Sequence, residues 1–189
     1  MQKTEDTKTR IMDVAERMIR HGGYNAFSFR EIAAEIGIKS ASIHYHFPTK
    51  GDLGAALAKR YTEDGRAYLQ ALRGNSDDTA VWIKGYTDVF RMALVDDNRM
   101  CLCGIMAAEY DDLPAEVRTE VDGFTQLNVQ WLTEVLAICR PQLNSEEQAL
   151  QALAIYAAVE GAQLIARGRG DIGVYDTTIE TYRKAGLVP

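Results

Sequence analysis

Only three cysteines, four prolines and no unbroken apolar run of bilayer length stand among these 189 residues, and each shortage removes a class of protein. An odd cysteine count in a chain of this size does not make a disulfide framework. A membrane helix needs roughly 18 or more consecutive apolar residues; none is found, so no membrane partner is expected. The first residues are polar and charged, without the apolar core of a secretory signal, and a cytoplasmic protein is expected. Alternating strand patterns, repeats and low-complexity tracts are missing too. Nothing resembles a nucleophile elbow, a phosphate-binding loop or a dinucleotide fingerprint, so neither an enzyme nor a cofactor is expected. Cys101-Leu102-Cys103 supplies two thiols, but Cys139 and the histidines stand at no metal-ligand spacing from them, and no metal is expected.

The charge present is unevenly spread. Residues 1–60 hold ten Lys and Arg against seven Asp and Glu, whereas residues 61–189 hold eleven against twenty. All three histidines, His21, His44 and His46, lie in the first part. A mildly basic front joined to an acidic body concentrates attraction for phosphate at one end.

The front contains the most informative stretch, Ser28 to Lys50. Ser28 and Glu31 make a capping box that opens a helix carrying Ile32, Ala33 and Ile36. Gly37 supplies the positive φ that ends it. A short helix follows, roughly from Ser40 to Phe47, stopped by Pro48, with Thr49 and Asp52 capping the next. Helix, glycine turn and short helix form the helix-turn-helix outline. In the short helix Ala41, Ile43 and Phe47 are expected inward. Lys39, Ser40, Ser42, His44, Tyr45 and His46 are left over, and suit phosphates and base edges in a major groove better than plain solvation.

The run Gly37, Ile38, Lys39, Ser42, Ile43, His44, His46, Phe47 and Lys50 resembles the DNA-binding domain of the TetR family of transcriptional regulators. Lys39 departs from the family pattern where a capping serine is usual, and His44 where tyrosine is common. The resemblance implies double-stranded DNA as partner, with Ser28, Arg30, Lys39, Ser40, Ser42, His44, Tyr45, His46 and Lys50 as the contact set. It also implies an all-α fold of about nine helices. Residues 1–48 would be the three-helix reading domain, and 49–189 a linker helix with an effector-binding and dimerisation body.

In chain order, residues 1–8 are expected to fray, and Ile11, Val14, Ala15, Met18 and Ile19 form the stripe of a first helix ended by Gly22 and Gly23. Tyr24 and Phe27 plug the space beside it. Residues 50–72 read as one long helix, with a break at Gly74-Asn75-Ser76-Asp77. The body reads as helices throughout. One stripe holds Val81, Trp82, Tyr86, Val89, Phe90 and Ala93. Cys101–Tyr110, Pro114 to about Cys139, Glu146–Arg167 and Thr177–Ala185 follow. The crowd of Glu109, Asp111, Asp112, Glu116, Glu120 and Asp122 reads as a solvated acidic face.

The family resemblance implies an effector site between body helices, where Trp82, Tyr86, Phe90, Met106, Phe124, Leu127 and Trp131 would line it. Ordinary core packing explains the same spacing. Cys101 and Cys103 at a helix start are either small buried hydrophobes or thiols poised for an electrophilic effector, as in some regulators of this family. The helix 146–167 mixes small and large apolar residues. Leu150, Leu153, Ala157, Gly161 and Ile165, with the last helix, are expected to form a four-helix homodimer interface. The function expected is a dimeric repressor released from a palindromic operator by a small molecule. A thiol-based sensor acting through Cys101 and Cys103, and a helical enzyme or carrier with a borrowed reading domain, stay open.

Overall fold

The structure, a computed structural model, describes residues 6–189. Among them are nine α-helices and no strand: α1 (Thr7–Gly22), α2 (Phe29–Ile36), α3 (Ser40–His46), α4 (Lys50–Asn75), α5 (Thr79–Val95), α6 (Leu102–Ala107), α7 (Ala115–Cys139), α8 (Ser145–Arg169) and α9 (Ile172–Lys184). Short 3-10 turns stand at Tyr24–Ala26 and Tyr110–Asp112. The fold is all-α with an N-terminal helix-turn-helix. The described residues cluster into two compact units, one of the residues up to Tyr61 with Leu102–Asp122, the other of Thr62–Cys101 with Gly123–Pro189.

The first unit grows from its stripe. Ile11, Met12, Val14, Ala15 and Ile19 bury one face of α1, and Ile32, Ala33, Ile43, Leu53 and Leu57 complete that core. Met18, expected in the stripe, is only half-buried. The fraying expected for residues 1–8 falls partly on residues 1–5, outside the described residues; Asp6 caps α1 by accepting the Lys8 amide at 3.4 Å. At Ser28 the box closes differently from expectation. Its Oγ accepts the Glu31 amide at 3.3 Å, but the Glu31 carboxylate takes the Ser28 hydroxyl proton at 2.8 Å rather than the Ser28 amide. At Thr49 the box is reciprocal: the Asp52 amide donates to Thr49 Oγ1 at 3.0 Å and the Thr49 amide to Asp52 Oδ2 at 2.9 Å.

Glu109 overturns the reading of a purely solvated acidic face. It accepts the amides of Tyr24 at 2.5 Å and Asn25 at 3.3 Å, tying the segment after α6 to the turn between α1 and α2. Gly23 permits this: its φ is +91°, and a Cβ there would sit 2.6 Å from Glu109 Oε1. Arg60 on α4 reaches Asp13 and Glu16 on α1, each at 2.7 Å.

In the second unit the faces of α5 differ from expectation. Val81 and Val89 are exposed, while Ile83 and Leu94 join Trp82, Tyr86, Phe90 and Ala93 in the core. α9 begins five residues before the expected Thr177, because Asp171 accepts the Gly173 amide at 2.8 Å and caps it. α4 runs on to Asn75, through Gly74.

α8 also qualifies the expectation that no segment approaches a membrane span. Its length and an 18-residue window of mean hydropathy 1.4 would suit a bilayer. One face, through Ala152, Ile155, Tyr156, Val159, Ala162, Gln163 and Ala166, is core. The other is exposed apolar surface. An amphipathic helix with a second, still uncovered apolar face reaches this composition without lipid.

Candidate nucleic-acid interface and body core

α3 is seven residues long and its fully buried side chain is Ile43. Ala41, expected inward, is exposed, on a helix that starts at Ser40 as expected, with Lys39 as its N-cap. Lys39 makes no side-chain cap, and neither does Ser40. Gly37 ends α2 in the left-handed region at φ 73°, its amide donating to Ala33 O, and so sets the turn into α3. The free side of α3 is what the sequence left over. Lys39, Ala41, Ser42, Tyr45 and His46, with Thr7 and Ile38, line an open recess of about 500 Å³. Tyr45 is 85% exposed, an unusual place for a large ring with no solvent-side partner except the His46 edge at 5.2 Å.

The other expected contacts are placed less uniformly. His44 is turned back: its Nδ1 lies 3.2 Å from Pro48 O and its ring meets Phe29 edge-on at 4.8 Å. Ser28 is committed to its cap, and Arg30 is exposed on α2. Lys50 does not project into solvent. Its ammonium lies over the rings of Phe27 at 4.4 Å and Tyr24 at 4.8 Å, and burial lowers its pKa against the pull of Glu109 and Glu31. Reaching a phosphate would require it to leave those rings. Burial, with Glu116 nearby, raises the Tyr24 hydroxyl to about 12.

In the second unit Trp82, Tyr86, Phe90, Phe124, Leu127 and Trp131 are all buried. Tyr86 stacks on Trp131 at 5.4 Å and 16°, with Phe90 tilted beside it at 5.4 Å. Met106 is buried too, but on α6 in the first unit. A cavity of about 200 Å³ opens between α4 and α7, walled by Leu69, Leu127 and Trp131 and rimmed by Arg66, Arg73 and Glu134. Of the expected pocket set, it brings together Leu127 and Trp131. Cys101 and Cys103 are 2% and 1% exposed, with no disulfide. Among the described residues no group of three or more His, Cys, Asp or Glu is placed to hold a metal ion.

The polar residues of α8's buried face escaped the sequence reading. Gln163 is wholly buried; its Nε2 donates to Phe90 O at 2.6 Å and its Oε1 accepts the Cys101 amide at 3.0 Å. Glu160, one turn before it, has both carboxylate oxygens out of solvent. Burial raises its pKa to about 7, only partly offset by the Cys101 thiol and the Tyr156 hydroxyl that face it. Burial and Glu160 together push the Tyr86 and Tyr156 hydroxyls well above their ordinary range. The available signal was spacing: Tyr156, Glu160 and Gln163 share a helix face.

Comparison with known proteins accounts for both units. The sequence model of the bacterial regulatory proteins, tetR family, matches residues 11–57. No curated protein matches the chain in sequence. Among solved structures, the TetR transcriptional regulator from Legionella pneumophila is 37% identical, with 96% of this chain and 99% of that one covered at a TM-score of 0.86. A TetR-family transcriptional regulator from Agrobacterium tumefaciens is 31% identical, with 94% and 96% covered at 0.87. AibR, in complex with isovaleryl coenzyme A and operator DNA, shares the fold at 19% identity, with 82% and 84% covered at 0.64. With this fold and these relatives, the chain belongs to the TetR family of DNA-binding transcriptional regulators.

Proposed function

We propose that the chain is a homodimeric repressor that leaves a roughly palindromic operator when a small molecule enters its body. The observation that carries the reading is α3, a helix with one fully buried side chain whose other face presents Lys39, Ser42, Tyr45 and His46 around an open recess. In a helix-turn-helix the second helix lies in the major groove. Here Lys39 would meet phosphate, while Ser42, Tyr45 and His46 would meet base edges. His44, held against Pro48 and Phe29, would position the helix.

Dimerisation is supported by α8. Leu150, Leu153, Ala154, Ala157, Leu164, Ile165 and Gly168 lie exposed at helical spacing, with Gly161 half-exposed among them. Leu150 is 61% and Ile165 55% exposed, a cost in water that a second copy would remove. Two reading heads held by such a pair would address two half-sites. The effector would act by favouring one of two spacings of the heads.

Burial of both Cys101 and Cys103 favours a reversible ligand over a thiol reagent, since a reactive cysteine needs access. The test is a DNA-binding titration on the promoter beside the chain's own gene, with a mild electrophile and with reductant. Retained binding after treatment supports the reversible reading. Loss that thiol restores, and that changing both Cys101 and Cys103 to serine prevents, would replace it with thiol sensing. Failure to bind at low salt by a confirmed dimer would sink the idea that it represses its neighbours.

A further inference from the structure

We propose that the groove between α4 and α7 binds a small organic monocarboxylate with an apolar body, and that such an acid is the effector. The second half rests on the effector reading above; the first stands on the groove itself.

Both walls lie inside the second unit. Arg66, Leu69 and Arg73 recur at helical spacing on α4, and Leu127, Trp131 and Glu134 on α7, so one face of each helix borders about 200 Å³ of open space. The charge in that space does not cancel. Glu134 is the acidic residue of the lining, and both its oxygens are engaged: Oε2 accepts from Arg73 at 2.8 Å and Oε1 from Gln130 at 3.3 Å. Among the described residues no carboxylate or carbonyl engages the Arg66 guanidinium. Two guanidiniums against one carboxylate leave a single positive charge, at Arg66. A cation entering the groove would face both arginines, whereas a monoanion balances it.

The hydrogen-bond inventory points the same way. Arg73 is held in place, its guanidinium 5.6 Å from the Trp82 ring and 5.5 Å from the Trp131 ring, with Nη2 donating to Trp131 O at 3.4 Å. Its Nε is nonetheless buried without an acceptor, and so is the indole Nε1 of Trp131, a side chain only 6% exposed. Buried polar atoms left unpaired in a native protein call for a ligand, an ion or ordered water. Here the spare charge is a cation and the unpaired buried atoms of the lining are both donors. That selects an acceptor, and a carboxylate offers two oxygens that match the guanidinium fork. Leu69 and Leu127 add an apolar wall that an inorganic anion cannot use. An apolar cavity of roughly 150 Å³ takes up a benzene ring, so the groove has room for a body of ring size behind the carboxylate. An acid held there would span α4 and α7, and α4 is the helix that begins at Lys50, directly after the helix-turn-helix.

The test titrates phenylacetate, its neutral twin phenylacetamide and bare acetate into the full chain at neutral pH, followed by tryptophan fluorescence and calorimetry. The parent should bind phenylacetate about tenfold more tightly than phenylacetamide, the scale of a lost hydrogen bond to a charged group. It should prefer phenylacetate to acetate by at least about tenfold, since acetate offers nothing to Leu69 and Leu127. Arg66→Gln, whose folding is checked by thermal melting, should bring acid and amide within about twofold. Lys84→Gln removes the same charge from α5 and should leave the preference intact. Equal binding of acid and amide by the parent overturns the site. So does a preference that survives Arg66→Gln or is lost equally in Lys84→Gln, acetate binding as tightly as phenylacetate, or no binding of any probe. DNA binding in the same samples separates the two halves. Phenylacetate that fills the groove through Arg66 while the DNA complex persists overturns its role as effector. Release by an uncharged molecule, undiminished in Arg66→Gln, keeps the ligand-released repressor and overturns the acid as its trigger.

Discussion

Glu160 makes the pH dependence of this protein's stability readable at a single residue. Its carboxyl titrates near 4.5 in an unfolded chain and about 7 in the fold. Between those values the unfolded state has lost the proton and the folded state keeps it, so stability falls as pH rises through that window. The fall should total on the order of 3 kcal/mol and level off above pH 7. Glu160→Gln should remove it: urea unfolding at pH 5 and pH 8 should show the parent losing stability relative to the variant. Parallel behaviour would mean that the carboxyl is solvated or paired. Gly37 offers a contrast, since nothing lies within 4 Å of a Cβ built there and only its φ of 73° matters. Gly37→Ala should therefore cost about 1 kcal/mol, through left-handed backbone strain alone. A much larger loss in thermal melting would point to a packing role that the geometry does not contain.

Among the elements, α3 separates stability from recognition. Tyr45→Ala removes a ring that is 85% exposed, so the melting temperature should barely move while discrimination between operator and random DNA falls. Lys39→Ala should weaken both kinds of DNA and lower the salt slope by about one. Equal loss on both sequences for Tyr45→Ala, in anisotropy titrations, would reassign the ring to phosphate positioning. The elements were legible where backbone chemistry punctuates the chain. Ser28, Gly37, Pro48 and Thr49 each perform a local act that depends on little beyond their neighbours, so α2, α3 and the start of α4 could be read directly. Where side chains face two ways the reading slipped. Val81 and Val89 look like core by hydropathy, yet they point outward because Ile83 and Leu94 take that side of α5. Glu160 and Gln163 stand unremarked in an apolar helix, although they sit on its buried face. Only the tertiary fold places the Cys101 amide and the Phe90 carbonyl against Gln163. Glu109 was hidden likewise, because its partners Tyr24 and Asn25 are more than 80 residues away in sequence.

At the scale of the whole molecule, the exposed side of α8 sets the expected assembly. Leu153→Glu with Ile165→Glu places two charges on that stripe while leaving the buried face through Ala152, Tyr156 and Val159 untouched. Sedimentation should show the parent as a dimer and the variant as a folded monomer. DNA affinity should drop sharply, since one head then binds without its partner. A variant that stays dimeric would move the interface elsewhere. The exposed apolar stripe has a further consequence, in arithmetic. Below the dissociation constant of the proposed dimer, halving the number of chains leaves about a quarter of the pairs. For the proposed repressor, occupancy of a promoter would then follow the square of copy number, and a growing cell that dilutes its pool would open the gene abruptly, before any small molecule arrives.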